Sequence, residues 1–132
     1  MSQQADKNSP SPELEFILGA APVRFNWTVR VPVPKDDDYV VVKLPLQFEA
    51  VDQTELNRFR GIGLADGEQV PSDVEIARQV VKGWPVLRNA EGSLVPFSEA
   101  KLEQLLRHPV MATAIAATYL AAMNGVAARK NA

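Results

Sequence analysis

Two stretches of alternation, VRFNWTVRV at 23–31 and YVVVKLPLQFEAV at 39–51, constrain the fold more than any other feature of the chain. In the first, Val23, Phe25, Trp27, Val29 and Val31 alternate with Arg24, Asn26, Thr28 and Arg30. A period of two in β-branched and aromatic residues predicts a strand with one wet face. In the second, Val40, Val42, Leu44, Leu46 and Phe48 share one parity. Pro45 lies on the other parity and has no N–H for a neighbour, so this strand is at an edge there or is broken. Between the two lies VPVPKDDD, whose prolines are expected to stop the ladder and whose aspartates favour a turn. The expectation is a long antiparallel hairpin with a wide loop, with Trp27 in the core.

Helical signals follow. Asp52 and Glu55 have capping-box spacing, and Gly61 can end that helix in a left-handed conformation. Leu56 and Phe59 are its inward residues. Ser72 and Glu75 form a second box. It opens a helix with Val74, Ala77, Val80, Val81 and Trp84 on one face, ended by Gly83 and Pro85. Residues 85–87 and 94–96 can form a small hairpin turning at Glu91-Gly92. Ser98 caps a helix with Leu102, Leu105 and Leu106 as its stripe. Pro109 then opens a last helix, from about 110 to about 127. Its predicted face is Met111, Ala114, Ile115, Thr118 and Ala122, widened by Leu120 and Met123, with Arg129 and Lys130 beyond its negative end.

Strands first and helices after argue for α+β: an N-terminal antiparallel hairpin or small sheet, then about four helices. Residues 1–12 are polar, with Ser-Pro at 9–10 and again at 11–12, and read as a disordered tail. Residues 13–22 form a short strand or pack loosely. The rest is one domain over 13–132, its β part about 13–51 and its helical part about 52–128. A chain of 132 residues suffices for one core.

Composition narrows the function. A formal net charge of −2 gives no electrostatic case for nucleic acid or an anionic membrane as the main partner. The absence of cysteine excludes thiol catalysis and disulfides and fits a reducing cytoplasm. The most apolar stretch, 110–128, is interrupted by Thr113, Thr118, Tyr119 and Asn124 and is too alanine-rich to predict a bilayer span. The start, MSQQADKNSPSPE, lacks the pattern of a signal peptide.

No motif earns a catalytic role. His108 is the only histidine and reads as a surface or capping residue at a helix boundary. Asp36-Asp37-Asp38 reads as a solvated turn, lacking the glycine and distal glutamate of a calcium loop. Gly61-x-Gly63 follows a helix where a phosphate loop needs a strand. Asp66, Glu68, Asp73 and Glu75 gather near a helix start, where negative charge is already favourable. No cofactor and no metal are expected. Trp84 has two readings, a core residue closing a helical stripe or a stacking platform for a ligand, and its position favours core.

The second half carries a more particular pattern: Gly83-Trp84, the turn Glu91-Gly92, Pro96-Phe97-Ser98 opening a helix with Leu105-Leu106, Pro109, Tyr119 and Lys130-Asn131. In these residues the chain resembles small tail assembly chaperones of tailed bacteriophages and prophages. The resemblance implies a non-enzymatic protein of the host bacterial cytoplasm. It would bind the tape measure protein, with other tail proteins as further partners, and keep its helical segments soluble until tail tube subunits polymerise around it. It also implies absence from the finished particle; the alternative is a structural tail or head-completion protein retained in the virion. Candidate partner contacts are Arg24 and Arg30 on the wet strand face and Met111 and Met123 on the last helix, where methionine adapts to varied surfaces. That helix can equally pack on the hairpin, and both hold if its two sides differ.

Overall fold

A computed structural model describes residues 13–20 and 23–125. The elements run β1 (Arg24–Lys35), β2 (Asp38–Glu49), α1 (Gln53–Phe59), α2 (Asp73–Val80), β3 (Val81–Gly83), α3 (Glu99–Leu106) and α4 (Met111–Met123). The fold is α+β: a three-stranded antiparallel sheet in the order β1-β2-β3, with helices packed on one face. The expected tail over 1–12 and Arg129 and Lys130 lie outside the described residues, and α4 ends at Met123, capped at Asn124, short of the expected 127.

The hairpin is longer and its turn tighter than the prolines suggest. β1 and β2 pair continuously from Arg24↔Glu49 to Lys35↔Asp38, leaving only Asp36 and Asp37 as the loop. Both have positive φ, 49° and 66°, as a type I′ turn requires, and aspartate tolerates this better than most residues. The ladder survives the prolines because of its phase. Ala50 N–H donates to Val23 O, which makes the odd-numbered β1 residues the hydrogen-bonded pairs. Pro32, Pro34 and Pro45 all fall in the other pairs, where an N–H would point away from the hairpin. At Pro45 the far side of β2 has no partner, because β3 pairs only with Gln47 and Phe48. The strand is therefore effectively an edge at Pro45, as its parity predicts.

The core joins Val29, Val31, Leu44, Leu46 and Phe48 of the sheet to Leu56, Phe59, Ile76, Ala77, Val80, Leu102, Leu106, Ile115 and Tyr119 of the helices. The predicted strand faces are right in parity but too long in extent. Trp27, expected in the core, is 41% exposed, with its ring set edge to face against Phe25. Val40 and Val42 are exposed as well. Strands of this length reach about 40 Å, whereas α4, the longest helix, reaches about 20 Å. The helical layer cannot cover the whole hairpin, and its distal half projects as an arm.

The helix starts follow their caps. Ser72 and Glu75 make both halves of the predicted box. Asp52 accepts from Glu55 N–H, but the Glu55 carboxylate turns to Arg58 and Gln79 instead of closing the second half. Ser98 accepts from Lys101 N–H. Gly61 is left-handed, φ 78°, as predicted.

Three helix readings need correction. α2 stops at Val80, short of Gly83, because Val81–Gly83 becomes β3 and pairs with β2, a tertiary contact that outweighs helical continuation. α4 starts after Val110, not at Pro109, and Val110 itself is left-handed at φ 63°. The buried face of α4 is Ala112, Ile115, Ala116 and Tyr119, one position on from the predicted stripe. Tyr119 sets this rotation. Its ring lies against Phe25, Phe48 and Phe59. Its hydroxyl donates to Glu49 O at 2.8 Å and accepts from Val51 N–H at 3.1 Å. Burial pushes its pKa up to about 12.

Candidate partner-binding surfaces

Trp84 belongs to the core. It is buried, its indole N–H donates to Val95 O at 2.7 Å, and Phe97 meets its ring edge-on at 4.8 Å between centroids. The bond ties the 85–97 segment back to the residue that follows β3. That segment closes on itself through Val95 N–H to Leu87 O and the Arg88↔Leu94 bridge. Its turn is held by the Asn89 side chain, which accepts from the backbone N–H of Glu91 and Ser93, with Gly92 left-handed.

Folding back creates a groove of about 560 Å³ between this segment and α3. Leu87, Leu94, Val95 and Leu105 supply its apolar lining. Arg88, Lys101 and His108 stand around it. Leu94 and His108 are exposed, so the groove is open to a partner. Such a surface accepts apolar side chains flanked by acidic groups. No local pattern marks it, because Leu87 and Leu105 come to one groove only once the 85–97 segment is tied back to Trp84.

The predicted contact residues do not form one patch. Arg24 pairs with Glu49 across the strands at 3.2 Å. Arg30 is exposed and sits directly opposite Lys43 in the sheet register. Like charges so placed repel, and among the described residues no acid forms an ion pair with either. Met111 and Met123 are half-buried and pack against the core from the two ends of α4. The outward positions of that helix are Thr113, Ala117 and Ala121.

Other charged groups bind the helices together. Glu55, Arg58 and Gln79 link α1 to α2, and the Arg58 guanidinium holds the Glu55 carboxyl below its usual range, with Gln79 adding to the effect. Arg78 makes two bonds to Glu103, at 2.6 and 2.8 Å, joining α2 to α3 and lowering the Glu103 pKa. The Glu75 carboxyl is lowered chiefly by the Ser72 backbone N–H it accepts from.

The remaining candidates stay apart. Asp36 and Asp37 form the turn, while the Asp38 carboxylate accepts from Tyr39 N–H. Among the described residues no group of three or more His, Cys, Asp or Glu is placed to hold a metal. No described helix is long and apolar enough to cross a membrane.

Alternation alone does not reveal the projecting arm, although the sequence carries its signal. Val40-Val41-Val42 breaks the alternation and puts valine on both faces. Tyr39 is 66% and Val41 60% exposed. Comparisons of the chain with protein-family models, with curated proteins and with solved structures found no match.

Proposed function

We propose that this chain is a phage tail assembly chaperone that acts by binding the tape measure protein in the host bacterial cytoplasm, without catalysis. The observation that carries the reading is the groove between the 87–96 segment and α3. Its walls include Pro96 and Leu105, two of the residues through which the chain resembles that family. An open apolar groove with cations around it suits one amphipathic face of a helix bearing acidic residues. The outward cations Arg30 and Lys43 offer a second contact for acidic positions.

Leu94 provides the test, because it is exposed and its replacement leaves the core intact. Leu94→Asp is expected to weaken co-purification with the tape measure protein by at least about tenfold, the effect of losing ~1.4 kcal/mol of binding. Binding unchanged by Leu94→Asp would remove the groove from the account. The chaperone reading also requires the chain to be bound to tape measure protein in lysates and missing from purified particles. Stoichiometric retention in particles would favour a structural tail or head-completion protein instead.

A further inference from the structure

The two edges of the projecting hairpin differ in what they offer another strand. The even residues of β1 and the odd residues of β2 turn their backbone groups away from the hairpin. On distal β1 these include Pro32 and Pro34, which have no N–H, so that edge resists further pairing. On β2 they are Tyr39, Val41 and Lys43. The open segment is bounded by the turn at Asp36–Asp37 on one side and by Pro45 and β3 on the other. It therefore spans Asp38–Leu44 and is centred on Val41.

We infer that this segment is a self-association edge, at which β2 of a second copy pairs antiparallel across a two-fold axis through Val41. In that register Val41 faces Val41 of the second copy, Tyr39 faces Lys43, and Val40 faces Val42. No like charges are opposed, and an aromatic ring meets a cation. Valines exposed on both faces of the arm gain cover, Val40 and Val42 on one face and Val41 on the other. Centring on Val42 places Pro45 opposite Tyr39, so each copy loses one bond, and it sets the Asp36–Asp37 turn of the second copy against Gln47, which β3 already pairs. Centring on Lys43 opposes two lysines and drives the second copy into β3 at Gln47. The Val41 register is thus the one that uses the whole open segment. It forms about six backbone hydrogen bonds, two of which need Tyr39 N–H to leave the Asp38 carboxylate. A foreign strand would gain the same backbone bonds, but only a second copy brings this symmetric set of side chains. The inference is independent of the chaperone reading.

Sedimentation equilibrium of the full chain tests it. A pairing this short buries less than a standard interface, so the mass should rise with concentration, from 14.5 kDa towards twice that value between about 10 µM and about 1 mM. Val41→Pro should stay at the monomer mass throughout. Position 41 is out of the hydrogen-bonded pairs with β1, so the hairpin tolerates proline there as it tolerates Pro32 and Pro45. Val41→Lys, which opposes two cations on the axis, should also stay monomeric, with the wild-type circular dichroism as a folding control. Because the chain has no cysteine, Val41→Cys should cross-link to dimers on oxidation, whereas Val86→Cys on the far loop should not. A wild type that remains monomeric overturns the inference. So does a dimer that Val41→Lys leaves unchanged. Protection of the Val41 and Lys43 amides that appears only when tape measure protein is added would assign the edge to a foreign strand and overturn it as well.

Discussion

Replacing Tyr119 with phenylalanine removes one oxygen from the centre of the molecule and leaves the ring contacts in place. That oxygen joins α4 to the end of β2, donating to Glu49 O and accepting from Val51 N–H. The ring is 0% exposed, while both backbone partners are half-buried. Leaving two partly buried groups without their partner costs about 2 kcal/mol. In a chain of this size that lowers Tm by about 6 °C. The sign of the pH effect follows from the raised pKa, about 12 against an ordinary 10.0. A phenol favoured in its neutral form by the fold contributes stability that is fully present below pH 10. It is lost as pH rises from there through the folded value. At pH 11 the wild type has lost about 1.4 kcal/mol through this group. The gap between wild type and Tyr119→Phe should therefore shrink from about 2 kcal/mol at pH 8 to under about 1 kcal/mol at pH 11. Urea unfolding at each pH, followed by tryptophan fluorescence, measures that gap directly, and lysine titration cancels in the difference. A variant as stable as wild type at pH 8, or a gap that does not change with pH, would refute the reasoning.

Four further outcomes follow from the same geometry. Trp84→Phe should free the 85–97 segment by removing the bond to Val95 O, costing about 1–2 kcal/mol and speeding tryptic cleavage after Arg88 at least severalfold. Val110→Gly and Asp37→Gly relieve left-handed backbone at non-glycine residues, and each should raise stability by about 0.5–1 kcal/mol in urea titrations. Lys43→Glu places an acid opposite Arg30 and should stabilise the monomer by about 0.2–1 kcal/mol in the same assay. Glu55 and Glu103 have lowered pKa values, so their contribution is present above the ordinary 4.5 and is lost as pH falls through the folded values. Arg78→Gln should flatten that acid-side loss, read as a smaller difference between urea midpoints at pH 6 and pH 3.

How far the fold was legible depended on whether each signal was local. Alternation at 23–31 and 40–48 is local and predicted the hairpin. Ser72, Asp52 and Ser98 are local caps and predicted the helix starts. What failed depended on distant parts of the chain. Parity says which face of a strand is apolar but not how much of that face other elements reach, so the core expected to hold Trp27 ends short of it, and Val40 and Val42 share the apolar parity without being covered. β3 exists because β2 offers Gln47 and Phe48 as partners, and Val81-Lys82-Gly83 alone does not announce it. The rotation of α4 is set by a hydroxyl reaching Glu49 and Val51, far away in sequence. The prolines look like breakers in the sequence because their pairing phase is set by the turn, and Asp36-Asp37 lacks the glycine that usually marks so tight a turn. The groove lies deepest out of reach, since it needs Trp84, Val95 and α3 together.

The most direct test of the chaperone proposal is co-expression of this chain with a phage tape measure protein, with and without Leu94→Asp. The proposal predicts tape measure protein that is insoluble alone, soluble and co-purifying with the wild-type chain, and insoluble again with the variant. Tape measure protein that stays insoluble beside the wild-type chain, with no complex recovered, would contradict it.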